Sequence, residues 1–199
     1  MINFSENLIL ENEVVRLQPL QKSDFDKLLP FAIKEPDLWT YSLISGAGKE
    51  GLKTYIALAL KDRADNKSYP FLVIDKRTNQ VAGSTRFYDY QPNHSTIQLG
   101  FTWYGKEFQG TELNKNCKFL LLELAFEEWN MQRVEFRADA NNSRSINAMK
   151  GIVCTEEGIL RNNCASPTGR RNSIVLSILP DEWNTSVKKL LSDKINNNS

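Results

Sequence analysis

The apolar positions of the chain fall into short runs whose spacing switches between that of strands and that of helices. Val14-Val15-Arg16-Leu17-Gln18-Pro19-Leu20 reads as a short strand. Ser23, with Asp26 three residues on, reads as the cap of a helix carrying Phe25, Leu28, Leu29 and Ala32, and Pro36 stops the pattern. A second helical stretch spans 49–62, with Leu52, Tyr55, Ile56, Ala59 and Leu60 on one side. Strands follow at 69–74 and 81–88 around the polar turn 75–80, and a third at 96–103 after a turn containing His94. A glycine-containing loop, 105–111, runs into a long predicted helix over 113–129. The remainder reads as a strand at 133–138, a short helix from Asn141-Asn142-Ser143 to about Lys150, strands at 157–161 and 173–179, and a helix started by Pro180. Residues 194–199 are expected to form a frayed tail.

This order predicts a mixed α/β fold with about seven strands, in which an antiparallel meander feeds a strand–helix–strand unit. Neither an interdomain linker nor an internal repeat is visible, so residues 1–199 are expected to form one domain with a core over about 14–183. Regular strand–helix alternation from the start, which a doubly wound dinucleotide fold needs, is missing.

Composition narrows the classes. Twenty-five Lys and Arg against 24 Asp and Glu leave a formal charge of +1, so neither nucleic acid nor an anionic membrane is expected as partner. Arg170-Arg171 is a short basic run that can still make a local positive cleft. Cys117, Cys154 and Cys164 lack metal-ligand spacing and His94 is the single histidine, so no metal is expected. The N-terminal residues carry no signal-peptide pattern, which predicts a cytoplasmic protein. A homodimer is the expectation from symmetry alone.

The loop Trp103-Tyr104-Gly105-Lys106-Glu107-Phe108-Gln109-Gly110-Thr111 joins a strand to the strongest helix. Free amides at such a helix start, together with its dipole, suit a pyrophosphate, and Lys106, Lys115 and the Thr111 hydroxyl can add to the site. Glu112 in the first turn opposes a bound phosphate unless it points to solvent, away from the ligand.

Several segments in sequence order resemble the GCN5-related N-acetyltransferase (GNAT) superfamily, in the branch typified by the ribosomal-protein N-terminal alanine acetyltransferases. They are the opening Val-Arg-Leu-Gln-Pro-Leu-Gln-Lys-Ser-Asp-Phe, then Phe71-Leu72-Val73-Ile74 to Val81-Ala82-Gly83, then Leu99-Gly100-Phe101-Thr102-Trp103 with Phe108-Gln109-Gly110-Thr111, then Asn142-Ser143-Arg144-Ser145, and finally 157–161, 169–179 and Glu182-Trp183. Together they cover about 14–183. The resemblance implies the GNAT fold, a mixed central sheet flanked by helices, and acetyl-CoA as co-substrate. It implies transfer of the acetyl group to a primary amine of a small molecule or a protein N-terminus.

By the same resemblance, Phe101, Thr102, Trp103, Phe108, Gln109, Gly110, Thr111 and Asn142 are cofactor-binding positions. Ser145 is the candidate acid for the leaving thiolate, and an amide near 101–103 serves the oxyanion. Glu112 stands where the family has a second glycine, which opens the alternative of a weak or inactive binding module. Three sequence candidates remain for the base. Glu135 lies on the strand face opposite Val134 and Phe136, Asp139 follows on the same strand, and His94 reads as an exposed turn residue.

Overall fold

The computed structural model describes residues 2–167 and 169–196. Its single sheet has the order β1-β2-β3-β4-β5-β6-β8-β7. These strands are β1 Leu10–Glu11, β2 Val15–Pro19, β3 Ser68–Asp75, β4 Gln80–Gln91, β5 Thr96–Tyr104, β6 Arg133–Asp139, β7 Thr155–Ser166 and β8 Gly169–Ile178. Seven correspond to strands read from the sequence, and the eighth is the two-residue β1. The closing hairpin is longer than its apolar runs indicated, because β7 is mostly exposed and carries polar residues that no alternation marks.

Helices α1 Phe25–Lys34 and α2 Gly48–Ala64 cover one face. Their residues Leu28, Ala32, Leu52, Tyr55, Ile56 and Ala59 pack with Leu72 and Trp103. Helix α3 Leu113–Glu123 covers the other face with the C-terminal helices α5 Pro180–Glu182 and α6 Lys188–Asn196. There Leu113, Cys117, Leu121, Trp183 and Leu191 meet Phe71, Phe87 and Phe136. Helix α4, Ser143–Gly151, follows β6. Lys194 to Asn196 continue α6, so the part of the expected tail that can be assessed is helical, and 197–199 lie outside the described residues.

Two local expectations change. Ser23 does not cap α1; a 3-10 turn, Lys22–Asp24, precedes the helix, and the Gln21 amide donates to Asp24 Oδ2 at 2.9 Å. The long helix over 113–129 breaks its period at 124–128, a π-helical turn that buries Leu124, Ala125 and Phe126 in succession.

All neighbouring strands are antiparallel except β5 and β6. These two run parallel and pair at Thr96–Arg133, Ile97–Val134 and Gln98–Glu135. Beyond Gln98 they part, although β5 continues to Tyr104 and β6 to Asp139. A bulge sits at this point, where one β4 residue, Thr85, stands against Phe101 and Thr102 of β5. Phe101 there has φ of +49°, uncommon for a bulky side chain.

Candidate active site at the parted strands

The mouth of the parted strands is bordered by the β5–α3 loop and the start of α4. Gly105 donates its amide to Ala82 O at 2.9 Å, and a 3-10 turn at Lys106–Phe108 carries the chain round to α3. Gly110 then takes φ of +75°, and a Cβ placed on it meets no atom within 4 Å. A side chain would thus be strained without clashing, and the backbone stays approachable. The amides of Gly110, Thr111 and Glu112 donate to no acceptor among the described residues, and they open onto the first turn of α3.

The sequence candidates fall into two groups. Gln109, Gly110 and Thr111 form the exposed or half-exposed rim, while Phe108 and Trp103 are buried. Phe108 packs into the α3-side core, and Trp103 packs between Phe31 and Trp39, its indole N–H donating to Tyr55 Oη at 3.3 Å. For these two, the backbone is what can face a ligand. The Thr111 hydroxyl, expected to reach a phosphate, donates instead to Phe108 O at 2.8 Å. Lys106 pairs with Asp37 at 3.0 Å.

Glu112 meets the objection raised by its charge through an ion pair rather than by pointing to solvent. Its carboxylate is paired with Arg77 of the β3–β4 turn, and the same guanidinium holds the buried Asp75 at 2.6 Å. The Arg77 guanidinium keeps the Asp75 carboxyl below the usual carboxylate range. The negative charge at the helix start is therefore drawn to the turn beside it.

Asn142 caps α4, its Oδ1 accepting from the Ser145 amide at 3.1 Å. That bond fixes the turn carrying Ser145, whose hydroxyl makes no hydrogen bond among the described residues. Arg144 of the same turn donates to Gln109 Oε1, tying α4 to the β5–α3 loop. Glu135 is the last β6 residue paired with β5, opposite Gln98 where the strands part, and it lines a cavity of about 130 Å³. Its carboxylate accepts from Arg137 Nε at 2.6 Å and from Arg133 Nη2 at 3.2 Å. Asp139 is buried and accepts from the Asn141 amide at 2.9 Å. His94 is exposed in its turn.

Lys118 joins the site from outside the residues expected there. The residue is 6% exposed, and its ammonium bridges the walls of the gap: it donates to Thr102 Oγ1 of β5 at 3.2 Å and lies 5.6 Å from the Phe136 ring of β6. No carboxylate pairs with it among the described residues, and burial pulls its pKa down to about 8. Its place in the apolar run Cys117-Lys118-Phe119-Leu120-Leu121 was the available signal, since a lysine amid core positions is costly unless used.

Burial pushes the Cys117 and Cys154 thiols up to about 12, which leaves both protonated and inert at neutral pH. Among the described residues no group of three or more His, Cys, Asp or Glu side chains can hold a metal ion. No described helix is long and apolar enough to cross a membrane.

Comparison with known proteins gives this geometry a family context. The family model described as acetyltransferase (GNAT) domain matches residues 15–152. The uncharacterized N-acetyltransferase p20 of Bacillus licheniformis is 22% identical over 161 residues, which is 76% of this chain and 85% of that protein. A GCN5-related N-acetyltransferase from Brucella melitensis superposes with a TM-score of 0.87 at 23% identity, covering 96% of this chain and 86% of the other. Mycobacterium smegmatis RimJ in complex with CoA-disulfide gives a TM-score of 0.79 at 15% identity, covering 94% and 93%.

Proposed function

The chain belongs to the acetyltransferase (GNAT) domain family, and on that premise we propose that it moves the acetyl group of acetyl-CoA to a primary amine, including a protein N-terminal α-amine. The observation that carries the reading is the parting of β5 from β6 beyond Gln98, beside a loop whose three amides are unbonded. A slot between parallel strands presents unpaired strand-edge groups to an extended chain, and the helix start presents donors to a phosphate. The residues present fit acetyl-CoA on both counts. Gly110, Thr111 and Glu112 would hold its pyrophosphate through backbone amides, with Gln109 and Asn142 ordering the rim. Arg77's hold on Glu112 supports a working loop over a disabled one.

Acetyl-CoA, when bound, supplies the activated thioester carbonyl. The chain's own residues have three tasks. A β5 amide within 101–103, released from strand pairing, donates to the carbonyl oxygen as charge builds on it. The Ser145 hydroxyl, without a hydrogen-bond partner among the described residues, and the Lys118 Nζ, which holds a proton, support these two as donors of a hydrogen bond or proton to sulfur as the C–S bond breaks. Glu135, on the opposite face, takes the proton that the amine loses as the C–N bond forms, through water. The buried, protonated thiols support direct attack over an acetyl-cysteine route.

Calorimetric titration with acetyl-CoA, followed by an amine and peptide panel scored by thiol release, tests the proposal. Micromolar binding with acceptor-dependent release is expected. Binding without release across the panel would leave a non-catalytic module, and no binding would remove the cofactor assignment.

A further inference from the structure

Arg86 is 1% exposed and lies on β4, opposite Gly100 in register. It forms no ion pair among the described residues, and its Nε and Nη2 are enclosed without a hydrogen-bond partner. Its neighbours are aromatic faces: the guanidinium carbon lies 4.7 Å from the Tyr55 ring and 4.1 Å from the Phe101 ring. Aromatic rings ease the burial of a cation but accept none of its N–H bonds in the plane of the fork. A guanidinium left in this condition keeps two enclosed donors open to a group from outside the chain.

A second arginine repeats the pattern. Arg171 is 7% exposed, donates to Ser173 Oγ at 3.0 Å and has no carboxylate partner among the described residues. On β8, Ile174, Leu176 and Ile178 face α3, so Arg171 and Ser173 fall on the α1–α2 face by alternation, as Arg86 does through its contact with Tyr55. Tyr88 shares this face with Arg86. Its ring meets Phe101 edge-on at 5.0 Å, and burial pushes its hydroxyl up to about 12, with the charges of Arg137, Glu135, Arg171 and Asp89 acting on it in turn. The residue that separates Arg86 from the gap is Phe101, held at φ of +49° on the bulge.

From this arrangement we infer that the acceptor carries a carboxylate near its amine, and that Arg86 and Arg171 receive that carboxylate on the sheet face opposite α3. The Phe101 ring turns aside to admit it. The inference rests on the acetyltransferase reading of the same cleft and extends it to the acceptor. The loop amides and Lys118 lie on or beside α3, so the two substrates would approach from opposite faces and meet at the bulge. A planar fork suits a carboxylate in two-point contact. Both a free amino acid and a peptide with an acidic second residue offer that chemistry.

The test uses matched acceptors: amino acids against their amides, and peptides with Asp against Asn at the second position. Acetyl transfer is followed by thiol release and product mass. The acid member of at least one pair is expected to be favoured 10-fold or more in kcat/KM, chiefly through KM. Which pair responds separates the two sources. Arg86→Met and Arg171→Met should abolish the preference, and Arg86→Lys should retain part of it. An apolar side chain of similar volume replaces the buried cation well, so Arg86→Met is expected to fold. Equal use of acid and amide in every pair, or a preference that survives Arg86→Met, would overturn the inference. The same pairs titrated into the protein without acetyl-CoA separate this failure from that of the enzyme reading. Binding of acid and not amide, without thiol release in any assay, keeps the anion site and removes the transferase. Binding of neither, with no transfer, removes the anion site as well.

Discussion

Arg77, in the turn between β3 and β4, holds the carboxylate of Glu112 at the start of α3 while also pairing with Asp75 at 2.6 Å. One guanidinium thus serves two carboxylates, and the residue that most disturbs the family's cofactor loop has a partner 35 positions earlier in the chain. Arg77→Ala leaves Glu112 uncompensated among the amides of the loop. Acetyl-CoA affinity is expected to fall roughly 10-fold or more by calorimetry, a change of about 1.4 kcal/mol. Glu112→Gly added to Arg77→Ala should recover most of it. Unchanged affinity in Arg77→Ala would show that the pair is irrelevant to the loop.

Lys118 makes stability depend on pH in a defined direction. Its folded pKa of about 8 lies below the free value of 10.5, so between these values the unfolded chain binds more protons than the native one. The native state therefore gains stability as pH rises through that window and is handicapped below it, where the buried side chain is charged. Lys118→Met should be more stable than the unaltered protein at pH 7, by on the order of 3 kcal/mol, and the difference should shrink toward pH 10.5. Thermal melts at the two pH values are sufficient. If Lys118 also serves the departing sulfur, the variant loses kcat while its stability rises.

Asn142→Ala removes the side-chain acceptor for the Ser145 amide. Loss of this cap is expected to cost about 1 kcal/mol and lower Tm by roughly 2–4 °C. Ser145→Ala should leave Tm near its original value and act on kcat alone. Equal melting losses in both variants would assign Ser145 a structural role.

Gly83 permits the close approach of β4 and β5. A Cβ built on it lies 2.0 Å from Trp103 O, a backbone atom that cannot yield without moving β5. Gly83→Ala is expected to destabilise by about 3 kcal/mol or more and to disturb the bulge at Phe101 and Thr102. Gly110→Ala meets no neighbouring atom, and its effect should be confined to the strain of φ +75°. Chemical denaturation of the two variants checks the contrast.

The sequence revealed the architecture where the core is amphipathic. Leu28, Leu52, Tyr55 and Ile56 mark the buried sides of α1 and α2, because burial on one face imposes a period, and the unbroken apolar run Phe71 to Ile74 marks β3, which is covered on both faces. The length of β7 was hidden, since an exposed edge strand imposes none. Ser23 misled because the Gln21–Asp24 interaction competes with it one turn earlier. At the site, Asn142 announced its cap through local chemistry. Glu112's partner, by contrast, came from a turn remote in sequence, and no local rule connects 77 to 112. Arg86 carries no local mark of its burial, which depends on the strand face that the tertiary packing encloses, whereas Lys118 is marked only by the apolar run around it.

Only three residue pairs join β5 to β6, so the backbone ladder between strands β1–β5 and strands β6–β8 is short. Helix α3 spans from one to the other beneath the seam. A molecule lodged in the slot would add contacts across that short ladder. Amide hydrogen exchange at Thr96, Ile97 and Gln98 should therefore slow when the slot is filled, so the seam reports occupancy at residues that touch no ligand.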